Sequence, residues 1–536
     1  MAETDHRPTP EKVDVVIVGA GFAGMYLLKL MRDNGFSAIS LEQGSGVGGT
    51  WYWNRYPGAR CDVESMQYSH QYLPQLEQDW DWSERYAPQP EILAYANEIA
   101  DRLDIRRDIY FERQVTEARY DESAHEWSVT CNSGETVRAR FFIMATGCLS
   151  VPNNVDFDGQ DTFAGDSYQT GEWPHQPVDF SGKRVAVIGT GSSAIQSIPQ
   201  IAKQAADLTV FQRTPNYAVP AKNRPLGTRE REEIKSNYED LRRRQSASLS
   251  NIAGRPPLGP AVEASREAQW AEYQRRWDEG GILFNGAFTD VMIDKQANEV
   301  AADFVRAKIR ETVEDPDTAD LLCPTNTLGA KRLCVDIDYF ETYNRPNVHL
   351  VDISKNGLSI DANGVLTGGK SFEVDAIVYA TGFDAMTGAL LRVDIQGRKS
   401  RSLRDYWADG PRTYLGLAIS GFPNLFTVTG PASPSVFTNM IPTIEQHCEW
   451  ISDCICALRD NGESEIEADP DAEIAWMDHN REVGSAHLRS STASWYTGEN
   501  IAGKPVGFMP YIGGFPRYRE KCDAVASNGY EGFRKA

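Results

Sequence analysis

Residues Val13–Gly44 read VDVVIVGAGFAGMYLLKLMRDNGFSAISLEQG, and the order of features along them decides the fold. Val13–Val18 is a short β-branched run, suited to a parallel strand buried on both faces. It leads straight into Gly19-Ala20-Gly21-Phe22-Ala23-Gly24, after which Met25, Leu28 and Met31 recur at helical spacing. A second strand, SAISLE, ends at Glu42. Gly19 permits the tight turn, Gly21 lets the backbone approach a pyrophosphate, and Gly24 allows the helix to pack closely on the strand. The helix N-terminus offers unpaired N–H groups to the phosphates. Glu42 is spaced to hydrogen-bond a ribose hydroxyl. A bare GxGxxG is weak evidence, but here strand, turn, helix, strand and acid agree. They imply a dinucleotide site with Gly19, Gly21, Phe22, Gly24 and Glu42 as candidate contacts. An acid at the ribose disfavours a 2′-phosphate, so the ligand is FAD or NAD rather than NADP.

The design recurs in GKRVAVIGTGSSAIQSIPQIAKQAADLTVFQRTP, from Gly182 to Pro215. Arg184–Ile188 is the strand, and Gly189-Thr190-Gly191-Ser192-Ser193-Ala194 is a GxGxxA turn, alanine being an accepted third position. Pro199 is expected to end or kink the helix that follows. The next strand, LTVFQ, leads to Arg213 and Thr214 in place of an acid. An arginine there pairs with a 2′-phosphate, which favours NADP(H) over NAD(H). Two dinucleotide folds in one chain suggest electrons passing from a nicotinamide to a flavin. The fold class is therefore α/β, with two Rossmann-like domains.

The rest of the composition narrows the setting. The chain has 536 residues, length for about three or four domain-sized units. It carries 54 Lys and Arg against 76 Asp and Glu, a net charge of −22. So acidic a surface argues against nucleic acid or anionic lipid as a partner. No apolar run of membrane-spanning length appears, and MAETDHRPTPEK lacks the apolar region of a secretory leader. The nine cysteines form no C-x-x-C pair, so no metal site is expected. Reduced thiols and a cytoplasmic location follow as expectations. The oligomeric state stays open, a monomer being compatible with everything read.

FFIMATGCLSVP (Phe141–Pro152) and DAIVYATGFDA (Asp375–Ala385) are each an apolar strand ending in Ala-Thr-Gly. They resemble the crossings that join the two domains in flavoprotein disulfide-reductase-like proteins, with the second site inserted between the halves of the first. Between them, FAGDSYQTGEWP (Phe163–Pro174) is similar to the FxGxxxHxxxWP fingerprint of the class B flavoprotein monooxygenases of Baeyer–Villiger type. Phe163, Gly165, Trp173 and Pro174 match, while Gln169 stands where that fingerprint has histidine. GGTWYWNRYPGARCDVES (Gly48–Ser65), GAKRLCVDIDYFETYNRPNVHLVD (Gly329–Asp352), ATGFDAMTGAL (Ala380–Leu390), FPNLFTVTGPASPS (Phe422–Ser435) and TASWYTGENIAGK (Thr492–Lys504) extend the resemblance over almost the whole chain. It is strongest toward the phenylacetone, steroid and cycloalkanone monooxygenases.

The resemblance implies FAD and NADP(H) as cofactors, and a small-molecule ketone and dioxygen as reactants. It implies insertion of one oxygen atom beside the carbonyl by an anionic peroxyflavin, giving an ester or lactone, with sulfides as further substrates. Arg332 matches the family's catalytic arginine and Asp62 the carboxylate that holds it. Sequence spacing alone does not bring these two together. A guanidinium suits an anionic site because it stays charged on burial. By the same resemblance Gly49, Thr50, Trp51, Asp62 and Tyr68 lie on the flavin. Lys331 joins Arg213 and Thr214 at the 2′-phosphate, and Trp495 contacts NADP from a mobile loop. Ser433, Val436, Phe437 and Met440 border the ketone pocket. The fingerprint residues Phe163, Gly165, Gln169 and Trp173 belong to a linker that responds to NADP. Glutamine still hydrogen-bonds but cannot become cationic. Two other functions stay open: an N- or S-hydroxylating flavin monooxygenase, and an uncoupled NADPH oxidase or reductase.

The implied domain order has five parts. Residues 1–150 are the first half of the FAD domain, 151–224 the first part of the NADP domain, 225–330 a helical insertion, 331–380 the second NADP part, and 381–536 the second FAD part with the substrate and C-terminal loops. In the insertion, TREREEIKSNYEDLRRRQ and ANEVAADFVRAKIRETVEDP read as amphipathic helices, with Arg242-Arg243-Arg244 on a solvated face. ASLSNIAGRPPLGPAVEA, broken by proline and glycine, reads as a mobile loop.

Overall fold

A computed structural model describes residues 7–536, so the start of the stretch inspected for a leader lies outside the described residues. Two parallel-centred sheets organise the chain. In the first, strands run in the order Asp394–Gln396, Val115–Asp121, Glu126–Cys131, Thr136–Met144, Lys12–Val18, Ala38–Leu41, Ile109–Tyr110, with Leu425–Thr427 added beside Thr136–Met144. Lys12–Val18 pairs in parallel with strands on both sides, and Val15, Val16 and Ile17 are fully buried. That is why a continuous β-branched run belongs there rather than an alternating one. The helix Phe22–Asp33 covers this sheet and packs against the long helix Met440–Asn461, whose buried side includes Ile441, Cys448, Ile451 and Ile455.

The second sheet is wholly parallel: Val348–Asp352, Asp207–Gln212, Arg184–Ile188, Ala376–Tyr379, Asp166–Gln169. Its edge strand is the first half of the fingerprint segment, with Gln169 paired to Tyr379. The segment is thus partly a strand and not only a linker. Gly165 cannot carry a side chain, because a Cβ would lie 2.5 Å from the Asp375 carbonyl and 2.6 Å from the Phe163 ring. Trp173 is buried, stacked 5.3 Å from Tyr168.

The two crossings run side by side between the sheets, bridged antiparallel at Pro152 and Phe383. They are equivalent in detail. A Cβ on Gly19 would meet the Ala145 carbonyl at 2.8 Å, and one on Gly189 would meet the Ala380 carbonyl at 2.5 Å. Each fingerprint's first glycine, at φ +104° and +113°, therefore packs on the alanine of an Ala-Thr-Gly. The flexibility of glycine is required at both points.

Three expectations change. The helix Ser192–Ala202 runs through Pro199 instead of stopping there. Arg242 is buried rather than solvated: its Nη2 donates to Glu77 at 2.6 Å and to Ser69 Oγ at 2.7 Å. The acidic and basic repeat conceals it, because TREREEIKSNYEDLRRRQ is two helices, Thr228–Ser236 and Tyr238–Ala247, and only the second turns one arginine inward. Arg243 and Arg244 stay outside and pair with Asp240. The loop after them is anchored, since Gln67 Oε1 accepts from Ala253 N at 2.7 Å and Gln67 Nε2 donates to Ala253 O at 2.9 Å. The helix Lys295–Thr312 is amphipathic, burying Ala301, Phe304, Val305 and Ile309 and capped by Asp294. All nine cysteines are free thiols. No helix among the described residues is long and apolar enough to cross a membrane, and no group of metal-ligating side chains occurs among them.

Candidate active site

A cleft of about 860 Å³ opens between the two sheets and reaches both glycine-rich turns. On the first side it is lined by Gly19, Gly21, Phe22 and Glu42, then by Gly49, Thr50, Trp51, Asp62 and Tyr68. Gly24 lies beneath: a Cβ there would overlap the Gly19 carbonyl at 1.8 Å, so its role is packing. A Cβ on Gly49 would come within 2.9 Å of Gly21 Cα, so the two turns pack backbone to backbone. Glu42 is buried, accepting from Ala20 N and Gly44 N at 2.7 Å each. Burial raises its pKa, and those backbone donors only partly offset it. Trp51 Nε1 donates to the Tyr68 hydroxyl at 3.2 Å, and both aromatics form part of the cleft wall.

On the second side the cleft is lined by Gly189, Thr190, Gly191, Ser192 and Ser193, and by Arg213, Thr214 and Lys331. A Cβ on Gly191 would meet nothing within 4 Å, leaving the backbone open to a phosphate. Arg213 and Lys331 have no carboxylate partner among the described residues. Burial and the neighbouring Arg213 push the Lys331 pKa down. Two like charges held together without an anion fit a phosphate group. The donors, the open glycine and the acidic first site therefore fit FAD on one side and NADP on the other.

Between these halves Arg332 and Asp62 meet, although 270 residues separate them. Arg332 Nε donates to Asp62 Oδ2 at 2.7 Å, Nη2 to Oδ1 at 2.8 Å, and Nη1 to the Val436 carbonyl at 2.8 Å. Both side chains are about a quarter exposed, toward the cleft they line. Burial alone would depress the Arg332 pKa, but the charge and hydrogen bonds of Asp62 outweigh it and hold the group above its ordinary value. Three of the five N–H groups a guanidinium carries are thereby engaged.

Val436, Met440 and Trp495 also line the cleft. Ser433 does not: it is fully buried, and its hydroxyl donates to Gly430 O at 2.7 Å to close its own turn. Phe437 packs beside the cleft against Tyr496 and Phe508, at 4.6 and 5.8 Å. Tyr496 was not among the sequence candidates. It is buried next to Trp495, and burial raises its phenol pKa while Arg332 and Arg489 pull it down. Its only sequence signal is adjacency to Trp495. The loop holding both residues is tied to the crossings: Asn500 Nδ2 donates to Phe383 O at 2.8 Å, and Lys504 Nζ to Ala385 O at 2.6 Å.

Gln169 lies outside the cleft wall. Its Nε2 donates to Thr381 Oγ1 at 3.1 Å, and Thr381 Oγ1 donates to Asn153 O at 2.6 Å, so Gln169 links both crossings. Its Oε1 is buried without a hydrogen-bond partner. An unmet acceptor at the junction weakens the link by about the value of one hydrogen bond, 0.5–1.5 kcal/mol. Gln169→His is accordingly expected to lower peroxide released per NADPH consumed by about twofold to tenfold, on that scale. An unchanged peroxide yield would remove Gln169 from any part in coupling.

Two dinucleotide folds and a shared cleft, with an arginine–aspartate ion pair between them, define a flavin- and nicotinamide-dependent oxidoreductase. The comparisons agree. Residues 16–256 match the family described as pyridine nucleotide-disulphide oxidoreductase. The chain is 40% identical to acetone monooxygenase (methyl acetate-forming) of Gordonia sp. (strain TY-5), over 97% of this chain and 98% of that one. It is equally 40% identical to phenazine N-monooxygenase PhzNO1 of Lysobacter antibioticus, over 97% and 96%. A structure of oxidized steroid monooxygenase bound to NADP superposes with a TM-score of 0.94 at 50% identity, covering 98% of this chain and 99% of that one. The chain belongs to the type I Baeyer–Villiger monooxygenases, flavoproteins that convert ketones to esters or lactones with NADPH and dioxygen. FAD and NADP are the bound cofactors in structures of its relatives.

Proposed function

We propose that this chain inserts one oxygen atom from dioxygen beside the carbonyl of a ketone, with Arg332 and Asp62 as its catalytic pair. The observation that carries the reading is the two-pronged grip of Asp62 on Arg332 inside the cleft shared by both nucleotide sites. FAD, when bound and reduced by NADPH, supplies the oxygen-activating centre. Arg332 then holds a fixed positive charge where negative charge develops on the ketone oxygen. Asp62 keeps that charge compensated between turnovers and fixes the plane of the guanidinium. With Nε, one Nη2–H and one Nη1–H engaged, two N–H groups remain for Tyr496 and the reacting oxygen. Glu42 orients the ribose of FAD, Arg213, Thr214 and Lys331 take the 2′-phosphate of NADP, and Val436 and Met440 shape the ketone end. The five-part domain division belongs to the same proposal, supported by how strands before and after the second sheet return to the first. A cytoplasmic setting rests on the free thiols.

The phenazine N-monooxygenase relative keeps N-oxygenation in view, since identity does not separate it from the ketone enzymes. An electrophilic oxygen transfer has less use for a fixed cation beside the acceptor, so the Arg332–Asp62 pair favours ketones. Purified protein, NADPH and air should convert members of a panel of aryl-alkyl, cyclic and steroid ketones to products heavier by one oxygen atom, read by mass spectrometry. Oxygen gained only by amines, sulfides or phenazines would establish the second reading. Peroxide without any oxygenated product would establish an uncoupled oxidase.

A further inference from the structure

The C-terminal segment holds the stretch that carries Arg332 at two points. Arg489 Nε donates to the carbonyl of Gly329, three residues before Arg332, at 2.8 Å. Tyr496 meets Arg332 itself, its phenol oxygen accepting from the guanidinium. Tyr496 is 1% exposed. Its ring packs against Phe437 and Trp495, at 4.6 and 4.0 Å between centroids. Its backbone is fixed on both sides, since Tyr496 N donates to Ser494 Oγ at 3.2 Å and Tyr496 O accepts from Met509 N at 3.0 Å. Ser494 and Trp495 form part of the cleft wall, whereas Tyr496 stands behind them. Phenylalanine would fill the same space, so packing does not account for the hydroxyl. A buried hydroxyl is costly unless it is hydrogen-bonded, and the group this one meets is the Arg332 guanidinium.

Three segments remote in sequence thus converge on one guanidinium. Asp62 comes from the first sheet's side of the cleft, Val436 from the loop before the helix Met440–Asn461, and Tyr496 from the C-terminal loop. Asp62 and Val436 engage three N–H groups and Tyr496 a fourth, so one of the five remains. Building on the ketone reading above, we infer that Tyr496 is a positioning residue for oxygen insertion, whose phenol holds the Arg332 guanidinium so that its last N–H is left for the ketone oxygen. Tyr496 touches neither ketone nor cofactor in this role and acts through Arg332. Asp62 supplies the compensating charge, and the neutral phenol adds a further fixed point without cancelling the positive charge that the reaction uses.

The test uses the FAD-loaded enzyme with NADPH, air and a ketone that it oxygenates, in the parent, Tyr496→Phe, Arg332→Ala and the double variant. Phenylalanine keeps the ring contacts to Phe437 and Trp495 and removes only the oxygen. Tyr496→Phe should lower the ester or lactone formed per NADPH consumed by about 10-fold, the scale of a hydrogen bond to a charged group, with the missing electrons appearing as peroxide. KM for NADPH and the anaerobic rate of flavin reduction, followed by flavin absorbance, should stay at the parent values. A merely structural role would move both, because a loosened loop displaces Ser494 and Trp495 from the cleft wall. In the Arg332→Ala background the same substitution should cost nothing further, since the group it positions is gone. An equal loss in both backgrounds would overturn the inference, and so would a raised KM for NADPH or slowed flavin reduction in Tyr496→Phe. If Arg332→Ala loses product and Tyr496→Phe keeps the parent yield, only the role of Tyr496 falls. If no ketone gains oxygen in the parent, or Arg332→Ala keeps the parent yield, the reading of Arg332 falls and Tyr496 with it.

Discussion

Alanine at Arg332 is expected to cut ester or lactone formation by about 10²–10³-fold, the scale found when a single preorganised donor to a developing oxyanion is removed. NADPH should still be consumed, with its electrons appearing as peroxide, because Arg213 and Lys331 are left in place. The size follows from how Arg332 is held. Three separate hydrogen bonds fix it, two to one carboxylate and one to a backbone carbonyl, so in the proposed role it would meet the reacting oxygen without reorganising. Its pKa lies above the ordinary arginine value, so no limb of the rate–pH profile belongs to it in any ordinary buffer. Arg332→Lys makes the sign testable. A lysine begins near 10.4, with burial lowering it and Asp62 raising it, so any alkaline loss of rate that is absent from the parent belongs to that lysine. Ester yield surviving in the alanine variant would remove Arg332 from the chemistry.

How much of this could be read from the chain depends on whether the cause is local. Both glycine turns were legible because a turn and a phosphate approach each demand glycine, and a helix contact demands glycine or alanine, at a fixed spacing. The Ala-Thr-Gly segments were legible as crossings, and the structure adds what they meet: the backbone carbonyl of each alanine is the surface on which a fingerprint glycine lies. The strand character of the fingerprint was not legible, since DSYQ has no strong alternation and becomes a strand only because Ala376–Tyr379 offers it an edge. Arg332 and Asp62 carry no local mark; 270 residues apart, they were reachable only through family resemblance. The burial of Arg242 was beyond reach. An arginine in a charged run reads alike whether it faces water or a buried glutamate. Ser433 fails for the same reason. A serine in a proline-rich loop suggests a pocket wall, but here its hydroxyl is spent on the turn itself.

Removing both Arg213 and Lys331 is expected to raise KM for NADPH by about 10²-fold or more, since each charged contact to a phosphate contributes about 1.5–3 kcal/mol. The change should fall on NADPH and spare NADH, whose ribose has no 2′-phosphate to lose. NADPH preference would thus shrink or vanish while oxygenation of a saturating ketone persists. The pair also sets a pH dependence whose sign can be worked out. Burial and Arg213 hold the Lys331 pKa below the ordinary lysine value. Its ammonium is therefore present at low and neutral pH and is lost, as pH rises, earlier than that of a free lysine. KM for NADPH should climb on the alkaline side while KM for NADH stays flat. In Lys331→Ala the climb should disappear, because Arg213 remains cationic throughout. Two cations kept side by side without a counter-ion repel each other in the free protein, and only a bound anion relieves that repulsion. The phosphate then raises the lysine pKa again, so NADPH binding should take up protons near the alkaline limb and NADH binding should not. Calorimetry in buffers of different ionisation enthalpy measures that uptake. Equal proton uptake for the two nucleotides would show that neither cation meets the 2′-phosphate.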